Sequence, residues 1–323
     1  MKAIAWTEYG DPEVLKIKEF EKPAPKSGEV LIKIHASTVT AGDCRLRAFN
    51  VPAGFWLPTR LAFGLTKPRN PISGMDVSGE VESIGKGVTL FKKGDKVYGT
   101  TGMRLGANAE YTCLSEKSAL VKKPNNITHE QASAIIFGGL AAIHFLIDKA
   151  NIQKGQKVII NGASGAVGTA SIQMAKYLGA EVTGICSTSN IELIEALGAH
   201  KVIDYTKEDF TNNNETYDVI LDAVGNLSLD RCESLLTNQG KLILLNTGLL
   251  TNLLSIVKNN LICGVAGESK DALDFLRERI ESGDVEAVID RTYPLEKTAE
   301  AHRYVDKGRK KGSVVITIKH EET

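Results

Sequence analysis

The chain has 323 residues, of which 42% are hydrophobic and 24% charged, and its 39 Lys and Arg residues balance 39 Asp and Glu residues. This length allows two domains with separate cores, and the composition excludes a disordered protein. Because the net charge is zero, there is no overall field to attract nucleic acid or an acidic membrane, so we expect small-molecule partners.

The N-terminal residues indicate a cytoplasmic protein. Residues 1–10 alternate apolar and polar side chains like a β-strand, without the continuous apolar segment of a signal peptide. The most apolar segment, residues 132–147, is short for a bilayer span and contains His144, which predicts a buried helix and no membrane partner. The five cysteines are widely spaced, which argues against a disulfide framework or structural zinc.

Short β-strands separated by turn residues are predicted up to about residue 125, whereas strands and helices alternate from Gly155 onward. The alternating part is typical of an α/β protein with a doubly wound parallel sheet of the Rossmann type. After about residue 268, the pattern predicts helices and strands that return to the first domain. We therefore predict a β-rich domain of residues 1–125 with 268–323, and a dinucleotide-binding domain of residues 126–267.

Residues 158–168 read VIINGASGAVG, a β-branched strand followed by glycines and then by a helix-like segment. Glycine allows the backbone to turn tightly, and the free N–H groups of the following helix attract anions. The pattern predicts a pyrophosphate site, although a tight turn in an ordinary α/β protein is the alternative. The predicted cofactor residues of this turn are Gly162, Ala163, Ser164, Gly165, Ala166, Val167 and Gly168.

The second strand of this βαβ unit, residues 181–186, is followed by Ser187, Thr188 and Ser189. A fold that prefers NAD commonly carries an acidic residue at this place, where it holds the ribose hydroxyls. This loop contains no acid, and its hydroxyls can donate to a 2′-phosphate. The sequence therefore predicts NADPH as the cofactor and leaves NADH as an alternative.

Further cofactor residues are predicted where later strands end. Asp222 and Val224 follow one strand, and Asn246 and Thr247 follow the next. These positions lie at the carboxyl edge of an open α/β sheet, where ligands bind, so we expect them to flank the ribose and the nicotinamide. For Asp222, the capping of a turn is an equally weighted alternative.

Residues 49–70 are rich in aromatic and aliphatic side chains interrupted by prolines and glycines, which excludes one regular element. This segment can form an apolar lid in which Phe55 and Trp56 wall a flat hydrophobic substrate. The alternative is a loop packed on its own domain or on a partner subunit.

The chain resembles the medium-chain dehydrogenase/reductase superfamily, specifically its zinc-independent quinone oxidoreductase branch, over its whole length. The motifs that carry the resemblance, in chain order, are residues 39–47, 72–88, 91–99, 161–168, 197–205, 221–225 and 310–318. The resemblance implies a GroES-like first domain and direct hydride transfer from a reduced nicotinamide to a quinone or an α,β-unsaturated carbonyl. It also implies that Lys176 approaches the 2′-phosphate and that Tyr205 lines the adenine side. The alternative for Lys176 is a solvated lysine on the surface of its helix.

Zinc alcohol dehydrogenases of this superfamily carry a Gly-His-Glu ligand motif, whereas the matching residues here are Gly74, Met75 and Asp76. We predict that Cys44 has no histidine partner, so three zinc ligands are not supplied and no metal is expected. Two substrate-site positions also depart from the family, because Thr40 replaces an Asn and Ala141 a Thr. The nearby Asp43 matches the family, and we expect it to hold a loop.

Two other functions stay open at this point. One is a zinc-type alcohol or polyol dehydrogenase with an atypical metal site, and the other is an NADPH-binding structural or regulatory protein with little catalysis. No proton donor is assigned. We predict a homodimer that associates through sheet edges or through the apolar residues 249–257.

Overall fold

Two large β-sheets organise the chain in the computed structural model, which describes residues 1–212 and 215–320. The strands are β1 (Lys2–Trp6), β2 (Leu15–Glu19), β3 (Glu29–Val39), β4 (Asp76–Ile84), β5 (Lys96–Thr100), β6 (Tyr111–Ser115), β7 (Leu120–Lys122), β8 (Lys157–Asn161), β9 (Glu181–Cys186), β10 (Lys201–Asp204), β11 (Tyr217–Asp222), β12 (Leu236–Leu244), β13 (Leu261–Cys263), β14 (Ile289–Pro294) and β15 (Ser313–Thr317). The helices are α1 (Ala41–Ala48), α2 (Trp56–Phe63), α3 (His129–Ala142), α4 (Ala166–Tyr177), α5 (Ile191–Ala196), α6 (Leu229–Cys232), α7 (Leu249–Val257), α8 (Lys270–Glu281) and α9 (Thr298–Asp306).

The first sheet combines N-terminal strands with the last strands of the chain. Its order is β14-β15-β3-β4-β5-β7, with β6 paired to β3, and β15 pairs antiparallel with β3. Alternate residues of β3 enter the core of this sheet, where Ile32 and Ile34 are fully buried beside Val77 and Val314. The C-terminal segment thus completes the first sheet.

The second sheet is parallel throughout its order β10-β9-β8-β11-β12-β13. From β8 the chain moves outward through β9 and β10, and it then crosses back to β11 on the other side of β8. Strand order reverses between β8 and β11, which is the topological switch point where doubly wound sheets bind ligands. The carboxyl ends of all these strands meet at one edge, so the residues following them lie near one another.

Helix α3 joins the two sheets, because it packs against β3, β4 and β15 on one side and against α4 on the other. It begins with a capping box, in which the Thr128 hydroxyl accepts from the Gln131 amide at 3.2 Å. At Gly138, an added Cβ would lie 2.2 Å from the Ala166 carbonyl oxygen, so the absence of a side chain lets α3 approach the start of α4. By length and composition, residues 129–149 suffice for a membrane span, but most of that apolar stretch is buried in the core.

Candidate functional site

The glycine turn between β8 and α4 has the geometry of an anion cradle. Gly162 has a φ of +83°, in the left-handed region that favours glycine, and Gly165 is the N-cap of α4. Because a glycine N-cap has no side chain to occupy the first amides of the helix, these amides are available to a bound anion. At Gly168, an added Cβ would lie 2.2 Å from the Gly162 carbonyl oxygen, so the turn tolerates only hydrogen there.

Residues from β11 and β12 lie beside this turn at the switch point. A Cβ on Gly162 would lie 2.8 Å from Cγ2 of Val224, which is half exposed. A Cβ on Gly225 would lie 3.3 Å from Nδ2 of Asn246, so the ends of β11 and β12 are also neighbours. The structure therefore brings Val224 and Asn246 to the same edge of the sheet as the glycine turn.

Asp222 holds the loop that follows β11. Its carboxylate accepts from the backbone amides of Val224, Gly225 and Leu227 at 2.9–3.0 Å and from Asn161 Nδ2 at 2.9 Å. With four donors and only 1% exposure, this carboxylate is already occupied. Asp222 therefore caps the turn after β11, which is one of the two roles predicted for it. Its hydrogen bonds orient the neighbouring Val224. Beyond the end of the next strand, β12, Thr247 accepts from Asn252 Nδ2 at 2.9 Å and fixes the start of α7.

The loop after β9 is tied to the glycine turn by Asn190. Its Nδ2 donates to Ser164 Oγ at 3.1 Å and to Ser187 Oγ at 3.2 Å. Tyr205 also lies at this edge, where its backbone amide donates to the Cys186 carbonyl at 3.1 Å and its side chain is 63% exposed.

Two charged residues at this loop come from other parts of the chain, and sequence reasoning missed both. Asp204, the last residue of β10, accepts from the Thr188 hydroxyl. Lys311, just before β15, donates from Nζ to the Ser189 carbonyl at 3.1 Å. The basic run at residues 309–311 was a sequence signal for Lys311, whereas Asp204 becomes a neighbour of Thr188 only through the pairing of β9 with β10.

The structure places Lys176, which the family resemblance implies beside a 2′-phosphate, away from the glycine turn. Lys176 lies in the last turn of α4, ten residues beyond Ala166, which at 1.5 Å per residue is about 15 Å along the helix from the glycine turn. Its side chain covers Gly198, where an added Cβ would lie 2.3 Å from the lysine Cδ. Because Gly198 precedes β10, Lys176 belongs to the opposite edge of the sheet.

The cleft between the two sheets is closed at two places by backbone hydrogen bonds. The Gly312 amide, preceding β15, donates to the Ser164 carbonyl in the glycine turn at 2.7 Å. The Leu249 amide, at the start of α7, donates to the Ala53 carbonyl at 2.8 Å. Residues of the first domain thus contact both the glycine turn and the start of α7.

The predicted substrate residues lie in two groups on the first domain. Thr40 and Asp43 form the capping box of α1, in which Asp43 Oδ2 accepts from the Thr40 amide at 2.8 Å and from its hydroxyl at 2.6 Å. Phe55 is the half-buried N-cap of α2, and Trp56 is 56% exposed beside Phe49 and Arg60. Thr40 and Asp43 therefore have a structural role in α1, while the aromatic pair belongs to the short helix inside residues 49–70.

The prediction that Cys44 lacks a histidine partner is wrong, because Cys44 Sγ lies 3.3 Å from His302 Nδ1. Both residues are buried in the core of the first sheet, and burial raises the pKa of the Cys44 thiol above its ordinary value. A buried protonated thiol is a poor metal ligand. Among residues 1–212 and 215–320, no three His, Cys, Asp or Glu side chains are grouped to hold a metal ion.

His302 gives the fold a specific sensitivity to acid. Burial, with a smaller contribution from Arg47, lowers the pKa of His302 from 6.5 to about 3. Below about pH 6.5 the unfolded chain binds a proton that the folded protein does not, so the free energy of unfolding falls. We expect this residue to account for a loss of about 2 kcal/mol between about pH 8 and about pH 5, measured by urea unfolding. His302→Gln should remove this part of the pH dependence of the unfolding free energy. An unchanged pH dependence in the variant would show that His302 is not its source.

Asp76, the first residue of β4, is a buried carboxyl. It is 3% exposed, and Oδ2 accepts from the Thr38 hydroxyl at 2.7 Å. Burial, together with the nearby carboxylates of Asp43 and Glu268, raises its pKa to about 8 against the opposing hydrogen bond from Thr38. Glu268 precedes α8, and its side chain lies against the backbone of Gly102. Asp76 is therefore mostly protonated at neutral pH.

Comparisons with known proteins match the whole chain. Residues 26–125 match the alcohol dehydrogenase GroES-like domain, and residues 197–316 match the zinc-binding dehydrogenase family. The chain is 31% identical to a quinone oxidoreductase of Pongo abelii over 95% of this chain and 94% of the relative. It is 31% identical to an NADPH-dependent alkenal/one oxidoreductase of Arabidopsis thaliana, over 98% of this chain and 79% of the relative. The structure of a quinone oxidoreductase from Coxiella burnetii superposes with a TM-score of 0.87 at 27% identity, with 99% of each chain covered. These matches confirm the predicted fold class.

Proposed function

We propose, from the premise that this chain belongs to the medium-chain dehydrogenase/reductase superfamily and to its quinone oxidoreductase branch, that it is an NADPH-dependent reductase of quinones or α,β-unsaturated carbonyls. The family supports the oxidoreductase class. The alkenal/one oxidoreductase among its relatives supports NADPH and conjugated acceptors. Hydride transfer without a metal is part of the proposal, with NADH as an alternative cofactor.

The observation that carries the proposal is the glycine turn at the switch point, closed from the first domain by the bond between Gly312 and Ser164. The tight approach at Gly168 and the uncapped start of α4 fit a pyrophosphate, which supports a dinucleotide at this edge. When bound, the reduced nicotinamide supplies a hydride. The protein residues then orient the acceptor and exclude water, which is the main requirement when charge is delocalised into a conjugated carbonyl.

Turnover with a panel of acceptors tests the proposal directly. The purified protein is mixed with NADPH or NADH and with quinones, enones, alkenals and simple alcohols, and the absorbance of the reduced nicotinamide is followed. We expect oxidation of the cofactor with quinones or enones. Cofactor binding without turnover on any acceptor would favour a structural or regulatory protein, and stoichiometric zinc in active protein would favour the zinc-type dehydrogenase.

We also propose the division into residues 1–125 with 268–323 and residues 126–267, a cytoplasmic location, and a homodimer. The homodimer is supported by α7 and by its neighbour β13, which is at an edge of the parallel sheet. Several apolar side chains of α7 are exposed: Leu250 at 83%, Ile256 at 77% and Val257 at 75%. A second copy that covers this surface would remove both the apolar exposure and the open edge.

The expected dimer has twice the chain mass of 34.9 kDa, about 70 kDa, by light scattering coupled to size exclusion. The double variant Leu250→Lys with Ile256→Lys should elute as a monomer, because two charges would be buried in the interface. Ile84→Lys, which places a charge on an exposed apolar residue of the other sheet, is the control that should remain dimeric. A monomeric wild type would overturn the proposal.

A further inference from the structure

The loop after β9 contains no acid of its own, but the neighbouring strand supplies one. In the pairing of β9 with β10, Asp204 is opposite Cys186, the last residue of β9. The carboxylate accepts from the Thr188 hydroxyl, and also from the amide of Thr206 at 3.0 Å and its hydroxyl at 2.7 Å. A negative charge therefore lies directly beside the loop that is proposed to hold the adenosine ribose.

These hydrogen bonds, led by the one from Thr188, lower the pKa of Asp204 to about 2, so it is ionised at neutral pH. The cations nearby are Lys207, whose Nζ lies 3.5 Å from the carboxylate, and Lys311, whose Nζ is on the Ser189 carbonyl. A 2′-phosphate carries between one and two negative charges at neutral pH, and placing it near a carboxylate is unfavourable. An unphosphorylated ribose carries no such charge, so the carboxylate does not oppose it.

We propose that Asp204 is a specificity-determining residue for the adenosine ribose, which weakens the preference for a 2′-phosphate so that this protein binds NADH as well as NADPH. The inference rests on the proposed function of the site. It replaces the sequence-based argument that no acid opposes the 2′-phosphate. The acid comes from the next strand, while Lys311 from the C-terminal segment supplies an opposing positive charge.

The test is the ratio of the dissociation constants of NADH and NADPH, because the two cofactors differ only in the 2′-phosphate. We expect the wild type to bind them within about tenfold of each other. Asp204→Asn keeps the shape and removes the charge, so NADPH should bind about five- to tenfold more tightly relative to NADH, as expected for one charge acting through solvent at this range. Binding is followed by the fluorescence of the reduced nicotinamide.

Asp209→Asn is the matched control. Asp209 accepts from the amide of Thr211 at 3.0 Å and from its hydroxyl at 2.8 Å. Asp204, five residues earlier, is bonded to Thr206 in the same way. This variant also removes one negative charge, but the ratio should stay within about twofold of the wild type, because Asp209 is not bonded to the loop after β9.

Two results would overturn the inference. One is a wild type that binds NADPH more than about a hundredfold more tightly than NADH. This result is measured on the wild type alone, so it does not depend on whether a variant folds. The other is an unchanged ratio in Asp204→Asn when the variant unfolds at the temperature of the wild type. In either case, turnover with quinones would leave the proposed function intact, whereas failure of both cofactors to bind would contradict the proposed function itself.

Discussion

Gly168→Ala is expected to destabilise the protein by about 3 kcal/mol and to weaken cofactor binding by at least about tenfold. The added Cβ would lie 2.2 Å from the Gly162 carbonyl oxygen and 2.6 Å from that of Ala163. Both contacts are with backbone atoms of the turn, so relief requires the turn itself to move. The amides of the cradle would move with it. Urea unfolding measures the first effect, and fluorescence titration with NADPH measures the second.

Gly165→Ala is the matched control in the same turn. Gly165 has a φ of −79°, and its added Cβ would meet only the Gly162 carbonyl oxygen at an ordinary 3.6 Å. Alanine is a weaker N-cap than glycine, which lowers the free energy of unfolding, whereas its stiffer unfolded chain raises it. Each effect is less than about 1 kcal/mol, so the stability without cofactor should hardly change. The new methyl would occupy part of the turn that is proposed to hold the phosphate, so cofactor affinity should still fall. Equal loss of stability in both variants would contradict the geometry of the turn.

The fold could be predicted because each of its local signals lies within a short stretch of sequence. The β-branched run before Gly162 and the predicted strand at residues 181–186 appear in the structure as β8 and β9. Periodicity and glycine placement fix such elements locally. The assignment of the last strand to the first sheet also followed, because the matching motifs occur in the order of a known family.

The charges of the site could not be predicted in the same way, since they depend on which strands become neighbours. Asp204 is 16 residues from Thr188 along the chain, and Lys311 is 122 residues from Ser189. The family resemblance favoured Lys176, which the structure places at the far end of α4 from the glycine turn. The pairing of Cys44 with His302 spans 258 residues and is equally invisible to local patterns.

The second large effect is a gain in stability from Asp76→Asn. The pKa of Asp76 rises from 3.8 in the unfolded chain to about 8 in the folded protein. The folded state therefore holds a proton that the unfolded state releases, and stability is lost as the pH rises from about 4 to about 8. The loss is about 1.4 kcal/mol for each pH unit in that window, which amounts to about 4 kcal/mol at neutral pH. An amide at this position has no such cost.

We therefore expect Asp76→Asn to be more stable than the wild type by up to about 4 kcal/mol at neutral pH, with the difference shrinking towards about pH 4. The Thr38 hydroxyl can still donate to the amide oxygen, so the 2.7 Å contact is preserved. Urea unfolding at several pH values gives both stability curves. A difference that does not depend on pH would show that packing, and not ionisation, separates the two proteins.

Asp43→Asn provides the contrast between two buried carboxyls on neighbouring elements. Burial raises the pKa of Asp43 as well, but its carboxylate accepts from the amide and hydroxyl of Thr40 in the capping box of α1. In the variant, the asparagine side chain can accept only part of these hydrogen bonds, and the lost cap costs about 1 kcal/mol. This cost offsets the stability gained by removing a buried ionisable group. Asp76 has a single hydroxyl donor and carboxylates nearby, so its neutralisation should give the larger gain. The order of the two gains thus tests whether hydrogen bonding or burial decides the stability contribution of each acid.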